Sequence, residues 1–230
     1  MDAFAPHAEA GASNGKLKMR WTVPSLFFIA LSGIAHADAQ TELSFYGGSI
    51  LPDSGQVSGS DPGGLGTFSF NSDWTGTGTA GLRLTWWDDQ DFGWGIDFQY
   101  SGVRADAATL SASGAAALAL EDGLSLLTVN AYRRWSESIQ NFTPYVGAGL
   151  GLAVPSVDFD GGGTPTQGRQ LGGVAVRLVA GAQYPITDSL SLFGEYQGSF
   201  SVNQLDLSSG GSLDTDILSD GVNVGLSLGF

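Results

Sequence analysis

Apolar and polar side chains alternate along most of the chain from residue 41 to the C-terminus. In the last segment, Val222, Val224, Leu226, Leu228 and Phe230 alternate with small or polar residues. Side chains of a β-strand point to opposite faces in turn, so this period predicts strands with one apolar face. Eight such segments are present, at residues 41–51, 79–87, 92–103, 123–135, 144–154, 173–184, 190–202 and 222–230.

The connections between these segments alternate in length. Short stretches at residues 88–91, 136–143 and 185–189 alternate with long, polar, Gly-rich stretches. Bacterial outer-membrane barrels have short periplasmic turns and long extracellular loops, and their strands are of about this length. A soluble sandwich shares the alternation of side chains but has no reason to alternate its connections.

Aromatic residues on the apolar face are sorted by strand end. Trp86, Trp94, Trp135, Tyr184 and Phe230 lie near the short connections, whereas Tyr100 and Phe200 lie further along their strands. Two girdles of aromatic rings flank the apolar band of a transmembrane barrel. We therefore predict an all-β fold, an eight-stranded antiparallel transmembrane β-barrel of the outer-membrane type.

The first 37 residues do not share this alternation. Lys16, Lys18 and Arg20 precede an apolar stretch at residues 23–34, and Ala35-His36-Ala37 follows it. A basic region, an apolar region and a small-x-small cleavage site are typical of a secretory signal peptide. We expect residues 1–37 to be a signal peptide and residues 38–230 to be the barrel. Met19 is an alternative start, and residues 1–18 are otherwise an extended basic region.

The composition excludes several kinds of chemistry. The chain has 23 acidic and 9 basic residues, so its net charge of −14 excludes a nucleic-acid-binding surface. It has no Cys, and His7 and His36 both precede the predicted cleavage site. The mature chain therefore offers no catalytic triad with His and no His- or Cys-ligated metal. A bound metal would have to be a hard cation on oxygen ligands.

Six charged residues fall on the polar face of the predicted strands, three acidic and three basic. An eight-stranded barrel is narrow enough for side chains to fill it, so these charges should pair inside the lumen. One interpretation is a buried ion network that fixes the register of the strands. The other makes Asp97 or Glu195 a catalytic acid or base. The six are Glu42, Arg83, Asp97, Arg134, Arg177 and Glu195.

The long connections are strongly acidic. No cofactor motif is evident. A divalent cation, Ca²⁺ or Mg²⁺, bound at these acidic loops is the candidate cofactor. Asp214 and Asp216 are the candidate metal ligands, because alternate residues share a strand face. The other interpretation is a solvated acidic rim. The acids are Asp53, Asp61, Asp73, Asp106, Glu121, Asp122, Asp158, Asp160, Asp206, Asp214, Asp216 and Asp220.

Several stretches resemble known outer-membrane barrels. The C-terminal strand with Val222, Val224, Leu226, Leu228 and Phe230 resembles the assembly signal of these proteins, which implies the barrel assembly machinery as a partner. Residues 143–151, TPYVGAGLG, resemble a motif of the small eight-stranded barrel family. ELSFY at 42–46, DPGG at 61–64, LLTVN at 126–130, YRRW at 132–135 and FGEY at 193–196 resemble an alphaproteobacterial group often labelled lipid A oxidase.

The resemblance implies a location and an activity. It implies the outer membrane of a Gram-negative bacterium, with lipid and lipopolysaccharide as partners of a monomer. For the lipid A oxidase group, the implied reaction is dioxygen-dependent oxidation of the proximal glucosamine of lipid A to 2-aminogluconate. The alternative is a non-enzymatic structural or surface-exposed barrel, which the neutral lumen favours. A diffusion pore is disfavoured by the small number of strands.

Overall fold

The computed structural model describes residues 40–89, 91–105, 114, 117–136 and 141–230. The predicted signal peptide therefore lies outside the described residues. Within the described part of the chain, no helix is long and apolar enough to cross a membrane. The strands are β1 (Gln40–Pro52), β2 (Gly55–Asp61), β3 (Gly66–Ser72), β4 (Trp74–Trp87), β5 (Phe92–Ala105), β6 (Ala117–Arg134), β7 (Thr143–Asp160), β8 (Thr166–Arg169), β9 (Gly173–Pro185), β10 (Leu190–Asp206) and β11 (Ser212–Gly229).

Eight long strands close into a ring. The order is β1, β4, β5, β6, β7, β9, β10 and β11, and β11 pairs with β1 to complete it. Neighbouring strands are antiparallel throughout, with Leu43 opposite both Leu84 and Leu228. A closed ring leaves no unpaired edge in the bilayer, where an unsatisfied backbone group would be costly. The predicted eight-stranded antiparallel barrel is confirmed.

The outer wall of the ring is apolar. Leu150 is 69% exposed and Val224 is 67% exposed, values that suit contact with lipid rather than water. Rings cluster near the short turns, where Trp86 stacks on Trp94 at a centroid distance of 4.2 Å. Indole rings at this level are typical of the interface between acyl chains and headgroups.

The strands are longer than the sequence predicts. β6, β7 and β11 each have 18 residues, and β10 pairs with β11 continuously from Leu190–Leu228 to Asp206–Ser212. Two of the long connections contain further strands: residues 52–76 contain the β2–β3 hairpin, and residues 155–172 contain β8. The long connection between β5 and β6 falls largely on residues 106–113, 115 and 116, outside the described residues, and the fourth is taken up by the β10–β11 pairing.

A change in polarity explains the longer strands. Near its C-terminal end, β11 points Asn223 and Ser227 inward; further from that end it points Leu213 and Ile217 inward and Asp216 outward. This end of the barrel is thus apolar inside and polar outside, as in a water-soluble protein. We call it the extracellular lobe, because the long connections of such barrels are expected to be extracellular. Its buried core is Val57, Phe68, Trp74, Val103, Leu118, Leu124, Leu126, Ala153, Val157, Phe159, Ala175, Leu205, Leu207, Leu213 and Ile217.

A side-chain amide continues the wall of the lobe just before β9 begins. The Gln170 amide nitrogen donates to the Asp206 carbonyl oxygen at 2.8 Å, and the Asp206 N–H donates to the Gln170 Oε1 at 2.9 Å. The amide therefore pairs with β10 as a peptide group of a further strand would. This bond satisfies backbone groups at the rim that would otherwise depend on water.

Candidate functional site

Four charged side chains meet in the middle of the lumen. Arg83 on β4 donates its Nε to Asp97 Oδ2 at 2.7 Å, and its two terminal nitrogens bind Glu195 at 2.8 and 3.0 Å. Arg177 on β9 lies 2.5 Å from Asp97 Oδ2 and 3.2 Å from Glu195 Oε1. We call these four residues the lumen network. It carries two positive and two negative charges and is formally neutral.

Hydroxyl and amide donors complete the network. Tyr46 donates to Asp97 Oδ1 at 2.6 Å, Tyr145 donates to Glu195 Oε2 at 2.8 Å, and Asn223 donates to Glu195 Oε1 at 3.2 Å. Asp97 is 0% exposed and Glu195 is 4% exposed. Because every carboxylate oxygen has a donor, the attraction within the network offsets much of the cost of removing the ions from water.

Aromatic rings surround the two arginines. The Arg83 guanidinium lies 5.3 Å from the Tyr46 ring centroid and 5.4 Å from that of Tyr132, and Arg177 lies 5.4 Å from that of Tyr46. Such cation–π contacts are stronger where water is excluded. The sequence places these rings on the polar face of the strands but does not indicate their contacts. The buried collar is Tyr46, Trp87, Tyr132, Tyr145, Val179 and Phe193.

Each aromatic ring of the collar lies over a glycine directly opposite on the next strand. A Cβ at Gly81 would overlap the ring of Tyr46, and one at Gly147 would overlap that of Tyr132. Only glycine leaves room for a ring to lie flat against the wall, which is one reason for the 35 glycines of the chain. The five pairs are Tyr46–Gly81, Trp87–Gly93, Tyr132–Gly147, Tyr145–Gly181 and Phe193–Gly225.

A second ion group lies at the periplasmic mouth. Arg134 is 3.4 Å from Glu42 Oε1 and 3.0 Å from Asp91 Oδ1, so the six lumen charges form two groups instead of one plug. Asp91 is a partner that the alternation could not show, because it lies in the turn between β4 and β5. Its backbone takes a φ of 63°, which Asp tolerates better than most residues.

The turn also fixes the charge of Asp91. The Ser136 hydroxyl donates to Asp91 Oδ1 at 2.7 Å, and with Arg134 it holds the pKa of this carboxyl below its usual value. A carboxyl with a lowered pKa stabilises the folded state above its ordinary pKa and loses that effect as the pH falls through the lowered value. The periplasmic ion group is therefore formed at neutral pH.

Next to the lumen network, the described residues leave little space for a ligand, whereas a cavity of about 440 Å³ opens at the periplasmic mouth beside Glu42 and Arg134. A cavity of about 10 Å³, roughly the space for one water, lies between the lumen network and the periplasmic mouth. Its lining includes Glu42, Arg83 and Tyr132. A sugar ring is much larger. Asp97 and Glu195, the candidate acid or base, are thus held by arginines in a space without room for such a substrate.

The other predicted site residues lie on the outer face. Asp214 and Asp216 share the outer face of β11, opposite Gln204 and Val202 of β10. Among the described residues, no three Asp or Glu side chains lie close enough together to hold a metal. The residues of the predicted assembly signal, Val222, Val224, Leu226, Leu228 and Phe230, are 45–67% exposed on the wall.

Not all of the acidic residues predicted to form a solvated rim are exposed. Asp61 is 2% exposed, so the expectation that it is solvated is wrong. It is buried because the hairpin that carries it packs against the extracellular lobe. The side chains of Asp106, Glu121 and Asp122 lie outside the described residues.

Comparison with known proteins identifies the family. No curated protein sequence gives a significant match. Among solved structures, OprG from Pseudomonas aeruginosa is similar at 13% identity and a TM-score of 0.50, with 84% of this chain and 96% of that chain covered. Neisserial surface protein A gives 18% identity and a TM-score of 0.39, with 78% of this chain and 96% of that one covered. Ail of Yersinia pestis gives 13% identity and a TM-score of 0.39, with 81% of this chain and 99% of that chain covered.

The match to OprG agrees with the fold described above. The model of the outer membrane protein beta-barrel domain matches residues 25–230, nearly the whole chain. The closed ring, its apolar wall and this match agree on one environment. The chain belongs to the outer membrane protein beta-barrel domain family and is a protein of the Gram-negative outer membrane.

Proposed function

We propose that the chain is a non-enzymatic, closed barrel whose working surface is the extracellular lobe. The observation that carries this proposal is the filling of the lumen. The lumen network and the aromatic collar occupy its centre, and the core of the extracellular lobe occupies the outer end. A barrel filled in this way anchors a structure in the membrane instead of passing solutes through it.

The rigidity of the lobe supports a role at the cell surface. β10 and β11 stay paired without a register shift out to Asp206 and Ser212, so this part of the wall continues from the membrane into the lobe. β2 adds to β11 through the pairs from Ser212–Ser60 to Thr215–Val57. Surfaces held by regular hydrogen bonding keep their shape, which favours recognition or packing by a defined face.

Lipid A oxidation is the second candidate, and the five stretches that resemble the lipid A oxidase group favour it. Three of these stretches supply residues of the lumen, the first being ELSFY, which contributes Tyr46 to the collar and Glu42 to the periplasmic ion group. YRRW contributes Tyr132 to the collar and Arg134 to the periplasmic ion group, and FGEY contributes Glu195 to the lumen network. Residues that build a plug are expected in any barrel of this design. The resemblance therefore supports shared architecture more strongly than shared activity.

Mass spectrometry of lipid A tests the proposal. Lipid A is extracted from cells that lack the protein and from cells that produce it, and we expect identical spectra. The control strain produces the double variant Val224→Asp/Leu226→Asp, which should not assemble. A gain of one oxygen atom on the proximal sugar that requires the assembled protein would contradict the proposal and establish the oxidase.

A further inference from the structure

Three glycine-rich turns meet at the tip of the extracellular lobe. They are the β2–β3 turn at residues 61–66, the β7–β8 turn at residues 160–166 and the β10–β11 turn at residues 206–212. A Cβ at Gly163 would lie 2.6 Å from the carbonyl oxygen of Gly63, and one at Gly211 would overlap the carbonyl oxygen of Ser60. The turns therefore touch through their backbones, which brings main-chain carbonyl oxygens into a small space.

The Asp61 carboxylate is enclosed where these turns meet. Asp61 is 2% exposed, and its Oδ1 is buried without a hydrogen-bond donor in the described part of the chain. No Arg lies within ion-pair distance of it among the described residues. A buried carboxylate that has no positive partner, and one of whose oxygens has no donor, is unfavourable. This position contrasts with Asp97 and Glu195, whose oxygens all have donors.

Other oxygen atoms face the same space. A Cβ at Gly64 would collide with both Asp61 Oδ2 and the carbonyl oxygen of Gly161, so these two oxygens lie close together. The Ser209 hydroxyl, from the third turn, is also buried without a partner. Its Cβ lies 3.8 Å from the position that a Cβ of Gly63 would occupy. All three groups present an oxygen atom, and Asp61 Oδ1 and Ser209 Oγ are buried without a hydrogen-bond partner among the described residues.

We propose that Asp61, the Gly161 carbonyl and the Ser209 hydroxyl bind a calcium ion. Ca²⁺ takes six to eight oxygen ligands in flexible geometry and accepts carbonyl oxygens readily. Mg²⁺ usually keeps several waters, for which this enclosed position is less suited. One carboxylate suffices because main-chain oxygens of the three turns supply the remaining ligands. The site is distinct from Asp214 and Asp216, which lie on the outer face of β11.

The ion links three turns that are far apart in sequence. Asp61 is the last residue of β2, Gly161 follows β7 and Ser209 follows β10. A cation that binds only when the turns are together stabilises the folded lobe in proportion to its occupancy. Calcium should thus set the stability of the surface that the proposed function uses, although the site does not depend on that function.

Calorimetric and thermal titration with CaCl₂ tests the site. The full chain is folded in detergent, treated with EGTA and titrated, and unfolding is followed by heat-modifiable migration. We expect one calcium per chain and a rise in Tm of about 5–10 °C at a hundredfold excess over Kd. Asp61→Asn should fold, bind no calcium and show no rise. Its Tm in EGTA should equal or exceed that of the unsubstituted protein, because the uncompensated charge is gone.

Matched variants separate this site from the acidic surface. The double variant Asp214→Asn/Asp216→Asn should bind calcium as the unsubstituted protein does, and MgCl₂ should give a clearly smaller rise in Tm. Calcium binding that survives Asp61→Asn and disappears in the Asp214/Asp216 variant would overturn the proposal. So would the absence of any Tm change with calcium, or equal changes with calcium and magnesium.

Discussion

Replacing Arg177 with leucine should destabilise the folded barrel by about 3–5 kcal/mol. Arg177 is 1% exposed and binds Asp97, Glu195 and the amide oxygen of Gln197. Its loss leaves the lumen network with one positive and two negative charges, buried where water cannot compensate. Urea unfolding in lipid vesicles, followed by tryptophan fluorescence, measures the loss. The matched control is Arg104→Leu, because Arg104 is exposed on β5 and should change stability little.

A second substitution tests whether charge balance is the cause. Arg177→Leu combined with Asp97→Asn leaves the two-bonded Arg83–Glu195 pair and restores neutrality. The double variant should recover part of the lost stability. If the stability losses of Arg177→Leu and Asp97→Asn simply add in the double variant, the two residues are not coupled and the neutrality of the lumen network has no energetic role.

Placing carboxylates on the lipid-facing side of the last strand should prevent assembly. Val224 and Leu226 point outward from β11 near the expected midplane, and each Asp there costs about 1–2 kcal/mol in addition to the lost apolar contact. We expect Val224→Asp/Leu226→Asp to leave no heat-modifiable protein in the outer-membrane fraction. These residues also belong to the predicted assembly signal, so the variant should lose both membrane insertion and recognition by the barrel assembly machinery.

The control adds a carboxylate to the outer face beyond the apolar band. Gln204 is exposed on β10 beside Asp214, in the polar part of the wall. Gln204→Asp should assemble normally. Normal assembly of the Val224/Leu226 variant, or failure of the Gln204 variant, would show that we have misplaced the bilayer.

Much of the barrel wall and lumen could be predicted from the alternation alone. In a strand the direction of one side chain fixes that of every second neighbour, so Glu42, Arg83 and Arg177 could be placed inside. Antiparallel pairing across a short turn also indicates that Arg83 lies opposite Asp97. The contact of Arg177 with Asp97 could not be predicted, because it crosses the lumen and depends on strand tilt and stagger.

The alternation does not predict the extracellular lobe, for a different reason. Apolar and polar residues still alternate in the outer parts of β10 and β11. There, however, the apolar residues lie on the face that is polar within the membrane, as Leu205, Leu213 and Ile217 do. The change of solvent from lipid to water reverses which face must be apolar, so the signal is present as an inversion and not as a loss of period. The burial of Asp61 and the role of Asp91 depend on turn conformation, which alternation does not encode.

Conductance across a planar lipid bilayer tests the central claim, that the barrel is closed, most directly. Folded protein, verified by its heat-modifiable migration, is added to one side and current is recorded at fixed voltage. A lumen filled by the lumen network, the aromatic collar and the core of the lobe predicts no stepwise current. Uniform ohmic steps that appear with the folded protein, and disappear when it is unfolded before addition, would contradict the claim.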